Sequence, residues 1–381
     1  MDLNPSLQAA YSEEKLTAHD AQRQAEFIAW GPVVFQVSRL MVKLGIFEML
    51  GDAREGLTCE EIAEKTKLTA YAVKCLTEAS LCIGTILIDT STDRFTLSKT
   101  GWFLLHDART RVNMDFNHDV NYLGLFRLEE ALNSGKPEGL KHFGSWPTIY
   151  EGLSSLPPEV QQSWFGFDHF YSDAAFPEAL QIIFDEHHVH TLYDVGGNTG
   201  KWALRCVAHS KEAEVTVLDL PQQIRLMEQN IQGKPGAERI KGYGIDMLDR
   251  HAAFPEPEGG ELDAIWMSQF LDCFSMEQIV GILRRARQVM SPKTRLYIME
   301  TLWDRQRFPT AAFCLTMTSL YFTAMANGNS KMYSTEDMQQ CIREAELTVE
   351  HIYDGLGQGH SIVVVVRGER LRVGELCSGM R

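Results

Sequence analysis

The sequence lacks any C-x-x-C pair. Its eight cysteines, Cys59, Cys75, Cys82, Cys206, Cys273, Cys314, Cys341 and Cys377, are scattered. That excludes a ribbon-type zinc site and a thioredoxin-like motif, and it reads as reduced, mostly buried thiols. Basic residues are scarce: 36 Lys and Arg stand against 51 Asp and Glu, a formal charge of −15. A nucleic-acid partner needs a concentrated basic face, so none is expected. No basic segment followed by an apolar run opens the chain, so a cytoplasmic location is expected. Long apolar runs are also missing. The one extended uncharged stretch, between Arg307 and Lys331, is rich in hydroxyls and ends Asn-Gly-Asn-Ser. It reads as a buried helix with Phe313, Met317, Leu320, Tyr321 and Ala324 on one face, not as a membrane span.

What is present is a chain of 381 residues, 44% hydrophobic, long enough for a large core and two domains. Residues 1–110 are helical at first. Pro32–Leu50 carries apolar residues at helical spacing, interrupted at Gly45. Thr58 and Glu61 fit a capping box, Thr69 a second cap and Gly84 a helix stop. "TILID" and "RFTLS" then alternate around a polar turn, as a hairpin does. Helix, helix and hairpin make a winged-helix layout. With Lys74 almost alone as a base on the second helix, packing or dimerisation is favoured over DNA. Residues 111–185 are helical and aromatic, with Trp164, Phe165, Phe167, Phe170 and Tyr171 in eight positions. Two readings fit them: core, or the lining of a pocket for a flat ligand.

Residues 186–370 alternate strand and helix, which implies a mostly parallel seven-strand sheet with helices on both faces, an α/β fold. Strands are expected at 191–195, 214–218, 240–243, 262–267, 294–300, 347–353 and 361–367, and a helix at 276–290. Residues 371–381 form a tail without pattern. His187, His188 and His190 lie together, but no spaced Cys or acid completes a metal site, so no metal is expected.

The first of these strands ends in Asp194 and Val195, followed by Gly196, Gly197 and Gly200. The dinucleotide pattern G-x-G-x-x-G would need glycine at 195. The pattern D-x-G-x-G-x-G is met at three of four positions, with Asn198 as the departure. Asp219 ends the second strand, 23 residues after Gly196 (219 − 196), where an acid can hold ribose hydroxyls. Asp246 ends the third, within reach of an adenine amino group. Three acids at three strand ends point to a nucleoside-bearing ligand.

These motifs, with "ELDAIWMSQFLDCFSMEQIVGILRRARQVMSPKTRLYIMET", resemble the S-adenosylmethionine-dependent O-methyltransferases of the caffeic-acid and hydroxyindole type. The resemblance runs from about residue 25 to 367. It implies a Rossmann-like class I methyltransferase sheet behind an N-terminal winged-helix dimerisation domain. It also implies a homodimer, S-adenosyl-L-methionine as cofactor with S-adenosyl-L-homocysteine as product, and a small aromatic or enolic acceptor. By the same resemblance Asp194, Gly196, Gly197, Gly200, Asp219, Leu220, Asp246, Met247 and Ser268 surround the cofactor. Phe167 and Ser172 approach cofactor or acceptor, and Phe170, Tyr171, Met317 and Tyr321 line the acceptor pocket.

The resemblance breaks at the proton-transfer step. The family's general-base His falls on Asp272, its Trp on Phe274, and its basic residue against the adenosine on Ser268. Glu300 matches one acid that orients the His, while the second falls on Met332. Asp272 with Glu300 is therefore the expected catalytic pair. Three roles fit Asp272: base, hydrogen-bonding anchor, or cap of the helix starting near Ser275. Three outcomes fit the chain: O-methylation, C-methylation beside an ionised hydroxyl, or a cofactor-binding dimer without methyl transfer.

Overall fold

The structure, a computed structural model, describes residues 3–257 and 259–368. The side chains of His169 and Ser172 lie outside the described set, as do the tail and Cys377. The chain forms two compact units that do not follow the linear division at 110 and 185. One unit comprises residues 13–120 and 158–167. The other takes the residues up to Ser12, 121–157 and those from 168 onward.

The smaller unit carries helices Ala18–Ala29, Gly31–Lys43, Ile46–Asp52, Cys59–Thr66 and Ala70–Ile83, then the antiparallel hairpin β1 (Ile86–Asp89) and β2 (Arg94–Leu97). The local signals act as expected. Gly45 breaks the helix in a left-handed turn at φ 70°. Thr58 and Glu61 close a capping box, Thr69 caps the next helix and Gly84 ends it in left-handed backbone. Leu57 bridges to Phe95, giving the hairpin a third strand position. Met41, Ile46, Phe47, Ile62, Val73 and Ile86 form the core. Phe167 belongs to this unit and stacks on Phe116 at 4.0 Å.

The larger unit is built on strands β3 (Thr191–Val195), β4 (Glu214–Asp219), β5 (Ile240–Gly244), β6 (Ala264–Ser268), β7 (Arg295–Glu300), β8 (Leu347–Leu356) and β9 (His360–Arg367). Their order is β5-β4-β3-β6-β7-β9-β8. The first five run parallel. β9 is antiparallel to both neighbours; the short turn from β8 leaves no room for a crossover and so accounts for the β8–β9 pairing. Alternate residues of each strand feed separate cores. Leu192, Val217 and Trp266 pack on one face with helix Lys201–His209, where Trp202 stacks on Trp266 at 4.4 Å. Tyr193, Val195 and Met267 pack on the other with helices Met276–Val289 and Thr335–Glu344. Both faces are covered over the centre of the sheet, so β3, β6, β7 and β9 read as near-continuous apolar runs, while the edge strands β5 and β8 do not. The order in which strands are added reverses between β3 and β6, which places a crevice at their carboxyl ends.

Two expectations are corrected. In helix Pro309–Tyr321, Phe313 and Met317 are about half exposed, at 57% and 47%. The packed stripe instead runs through Ala312, Leu315 and Tyr321. The hydroxyls of Thr316, Thr318 and Ser319 bond back to carbonyls one turn earlier. Satisfied in this way, they can be buried as readily as apolar side chains, so the pattern does not select a face. The cysteines are also less buried than expected: Cys206 and Cys341 are buried, Cys59, Cys273 and Cys314 half-buried, and Cys75 and Cys82 exposed.

Candidate active site

β3 leads into the glycine turn at the crevice. Gly196 has φ 73° and Gly200 φ 75°, both left-handed, and Asn198 adopts φ 50°, as its tolerance of that region predicts. A Cβ at Gly196 would stand 2.4 Å from the Phe270 ring. At Gly197 it would stand 2.5 Å from Asp194 Oδ2. The turn is therefore glycine because its backbone is covered on one side by Phe270 and on the other by a carboxyl.

That carboxyl, Asp194, is 2% exposed, and its Oδ2 has no hydrogen-bond partner. Burial, with the nearby Asp219 charge, pushes its pKa up to about 8. Asp219 sits at the end of β4. Its Oδ2 accepts from Asn198 N at 2.9 Å and its Oδ1 from Leu220 N at 2.7 Å. Gln223 Nε2 holds the Asn198 side chain at 2.7 Å. Burial raises the Asp219 pKa against those two donors. The third acid, Asp246, is exposed beyond β5 and accepts from Leu248 N at 2.8 Å, while Met247 beside it is buried.

The loop carrying Asp246 and Met247 is held by a residue that the charge pattern had assigned to a solvated helix face. Arg285 donates to the carbonyls of Met247, Asp249 and Ala252, the last at 3.1 Å. A run such as "LRRARQ" does not reveal which arginine turns inward.

β6 ends at Ser268, half-buried and paired with Met299. Gln269 follows at φ 45°, left-handed without being glycine, and its amide oxygen is buried without a partner. A non-glycine residue in this region is strained, and it stands at the carboxyl end of β6. Nothing in the sequence announces it, because Gln has no preference for that backbone.

Next comes the catalytic candidate. Leu271–Cys273 is a single 3-10 turn, with Asp272 6% exposed. Ser275, not Asp272, caps the helix at Met276, through a capping box with Gln278. The cap reading of Asp272 is thereby removed. Glu300, 3% exposed at the end of β7, accepts from Phe270 N at 3.1 Å and Leu271 N at 2.9 Å through one oxygen. It thus clamps the turn on which Asp272 stands, and its other oxygen has no partner. Burial pushes Asp272 up to about 7; the Cys273 thiol opposes this and Asp168 adds to it. Burial and the Asp272 charge raise Glu300 well above the ordinary range. Two buried carboxyls this close do not ionise independently.

Other groups enclose the pair. Tyr150 donates to Cys273 Sγ at 3.1 Å, Asn327 Nδ2 to the Cys273 carbonyl at 2.7 Å, and Tyr333 to the Phe274 carbonyl at 2.6 Å. Met332, at the position of the family's second acid, is buried and accepts from the Thr301 hydroxyl at 3.5 Å. Tyr171 and Tyr321 are buried and Phe170 is half-buried, whereas Met317 lies on the exposed stripe. His187 bonds Tyr297 Oη at 2.6 Å and His190 pairs with Glu212. Among the described residues no group of three His, Cys, Asp or Glu side chains is arranged to hold a metal. None of the described helices is long and apolar enough to cross a membrane.

Comparison with known families assigns residues 22–95 to the Dimerisation2-like domain and 173–345 to the O-methyltransferase domain. The chain joins a dimerisation domain to an O-methyltransferase domain. The methyltransferase domain holds every polar group of the site just described except Tyr150, Asp168 and Tyr171. The chain is 26% identical over 209 residues to the bacteriochlorophyllide d C-20 methyltransferase of Chlorobaculum tepidum. That match covers 54% of this chain and about half, 55%, of that enzyme. The fold is shared with the S-adenosylmethionine-dependent methyltransferase SibL, at TM-score 0.67 and 21% identity over 90% of this chain and 98% of that one. It is shared also with NcsB1, an O-methyltransferase from neocarzinostatin biosynthesis solved with S-adenosylmethionine and 2-hydroxy-5-methyl naphthoic acid. There the TM-score is 0.60 and the identity 18%, over 87% of this chain and 95% of that one. The seven-strand sheet and the N-terminal helical domain expected from the sequence agree with these findings.

Proposed function

We propose that the protein transfers the methyl group of S-adenosylmethionine to a hydroxyl of a small aromatic or enolic acceptor, with Asp272 as the base. The observation that carries the reading is the buried Asp272 carboxyl, held at the crevice by a turn that Glu300 clamps. The residues present suit the cofactor. Gly196 and Gly197 allow close approach, Asp219 stands ready for the ribose hydroxyls, and Asp246 with Met247 for the adenine. Gln269 offers an unpaired acceptor and Ser268 a hydroxyl. Phe167 and Ser172 are assigned to the cofactor by resemblance. Phe170, Tyr171 and Tyr321 suit a flat acceptor. When bound, the cofactor supplies an electrophilic methyl group on a sulfonium; the chain's task is to orient the acceptor and take its proton.

The magnitudes support an Asp here. A phenol titrates near 10 and an ordinary Asp near 3.9, so proton transfer between them is uphill by about 8 kcal/mol. With Asp272 raised to about 7 the gap falls to about 4 kcal/mol, close to the roughly 5 kcal/mol of a neutral His. Burial thus gives a carboxylate the basicity of the residue it replaces.

The test is S-adenosylhomocysteine release with a panel of phenols and hydroxynaphthoic acids, wild type beside Asp272→Asn. A fall of at least a hundredfold with unchanged cofactor affinity is expected. An Asp272→Asn enzyme that keeps its rate sinks the reading. A second reading, methylation at a carbon next to an ionised hydroxyl, is favoured by the likeness to a C-20 methyltransferase. Product analysis separates the two. A homodimer is proposed on the Dimerisation2-like domain and the exposed Ile28, Trp30, Val33, Trp102 and Phe103 of the smaller unit. Such apolar surface on a helical unit is typical of an interface between copies. The location proposed is cytoplasmic.

A further inference from the structure

The site contains one side chain that neither the family pattern nor the proposed chemistry uses. Cys273 stands where the family carries Asp or Asn. Its Sγ lies 3.5 Å from Asp272 Oδ1 and donates to it. The same sulfur accepts from Tyr150, which comes from a helix 123 residues earlier in the chain. The backbone of Cys273 is fixed independently by Asn327. A hydroxyl, a thiol and a carboxyl therefore stand in line, each donating to the next. We propose that Cys273 is a positioning residue for Asp272: its thiol, held by the Tyr150 hydroxyl, ties Oδ1 and so fixes the direction in which the carboxylate meets the acceptor's proton. This rests on Asp272 being the base.

The direction of the electrostatics agrees. A donor to a carboxylate favours the ionised form, so the thiol lowers the Asp272 pKa against burial. The hydroxyl that donates to sulfur polarises the S–H bond and makes it a better donor. The charged and titratable groups that face Asp272 are Asp168 from the helix Pro158–Ser172, Glu300 from β7, Tyr150 and Cys273, and Tyr333 after the uncharged helix. Asp168 and Glu300 both oppose its ionisation. The Asp272 and Cys273 backbone N–H groups also favour ionisation, and the Cys273 thiol is the strongest of the three donors that keep the carboxyl available as a base.

Infrared difference spectroscopy on the full chain tests this without an acceptor. Wild type minus Asp272→Asn isolates the protonated Asp272 carbonyl band, and wild type minus Cys273→Ala isolates the S–H band. In Cys273→Ala the Asp272 band should titrate about one pH unit higher, a tenfold change in its ionisation constant. Cys273→Ser, which restores a donor, should return the midpoint to the wild-type value or below. Tyr150→Phe should move the S–H band to higher frequency and the midpoint slightly upward. An Asp272 midpoint unchanged in Cys273→Ala, or an S–H band indifferent to Asp272→Asn and Tyr150→Phe, overturns the proposal. These bands report the hydrogen bonds whether or not methyl transfer occurs. An active Asp272→Asn enzyme would therefore refute the base while leaving this geometry to be judged by itself.

Discussion

Asp194→Asn should flatten much of the protein's loss of stability at rising pH. In the folded chain Asp194 is 2% exposed, one oxygen has no donor, and its pKa is raised to about 8. In the unfolded chain it titrates near 3.9. Between those values the folded state keeps a proton that the unfolded state has released. Stability therefore falls as pH rises, by up to about 1.4 kcal/mol per pH unit from this group alone. The whole window, about 4 to about 8, amounts to a cost on the order of 5 kcal/mol. Asn has nearly the same shape and never ionises. The measurement is urea unfolding of the cofactor-free protein, followed by tryptophan fluorescence at pH 5, 6, 7 and 8, for both forms. Asp272 and Glu300 contribute slopes of the same sign, and His360, lowered to about 4 by burial, one of opposite sign below about 6.5. These are common to both proteins and drop out of the difference. The difference curve should climb in favour of Asp194→Asn up to pH 8 and then level. A flat difference would mean that Asp194 is ionised in the fold and that a donor or an ion reaches it.

Gly196→Ala should lose the thermal stabilisation that S-adenosylhomocysteine gives the wild type in differential scanning fluorimetry. It should also unfold several degrees lower without ligand, since the methyl group meets Phe270 at 2.4 Å and φ is 73°. Wild type should elute as a dimer in light-scattering chromatography, and Trp30→Glu as a monomer, because Trp30 is 61% exposed among other apolar side chains. A monomeric wild type would remove the dimer from the reading.

The sheet was legible because its central strands β3, β6 and β7 are short apolar runs and most strands end at or next to an acid or a glycine. Each of the seven appears within two residues of its expected start. The three acids proposed to serve the cofactor were legible for a similar reason: Asp194, Asp219 and Asp246 are placed at or just beyond strand ends, and strand ends are local features. The proton-transfer end was not. Tyr150 and Cys273 meet across 123 residues, and nothing near either in the chain announces the other. Arg285 lies in a charged run whose members differ only in which carbonyls they reach. Gln269 takes a backbone conformation for which its side chain has no preference, so only the fold exposes it. Phe313 and Met317 show the converse failure, apolar spacing without burial, in a helix whose hydroxyls are satisfied by its own backbone.

Replacing His with Asp changes more than a pKa. A neutral His that takes the acceptor's proton becomes a cation as the sulfonium loses its charge, so the site carries one positive charge before and after. In the proposed reaction an ionised Asp272 faces a sulfonium, and both charges vanish when the methyl and the proton have moved. Charge separation is costly in a buried site, so its loss along the reaction is favoured there more than in water. In the proposed reaction that argument favours burial of the carboxyl at 272. A solvated pair would ionise easily, but it would be a weak base and would gain little from neutralisation. It also bears on Met332, which stands where the family has a second acid. A third carboxylate beside Asp272 and Glu300 would push Asp272 further toward its protonated form, and a protonated Asp272 cannot act as the base. In the proposed reaction an uncharged residue at 332, such as this Met, leaves Asp272 able to ionise.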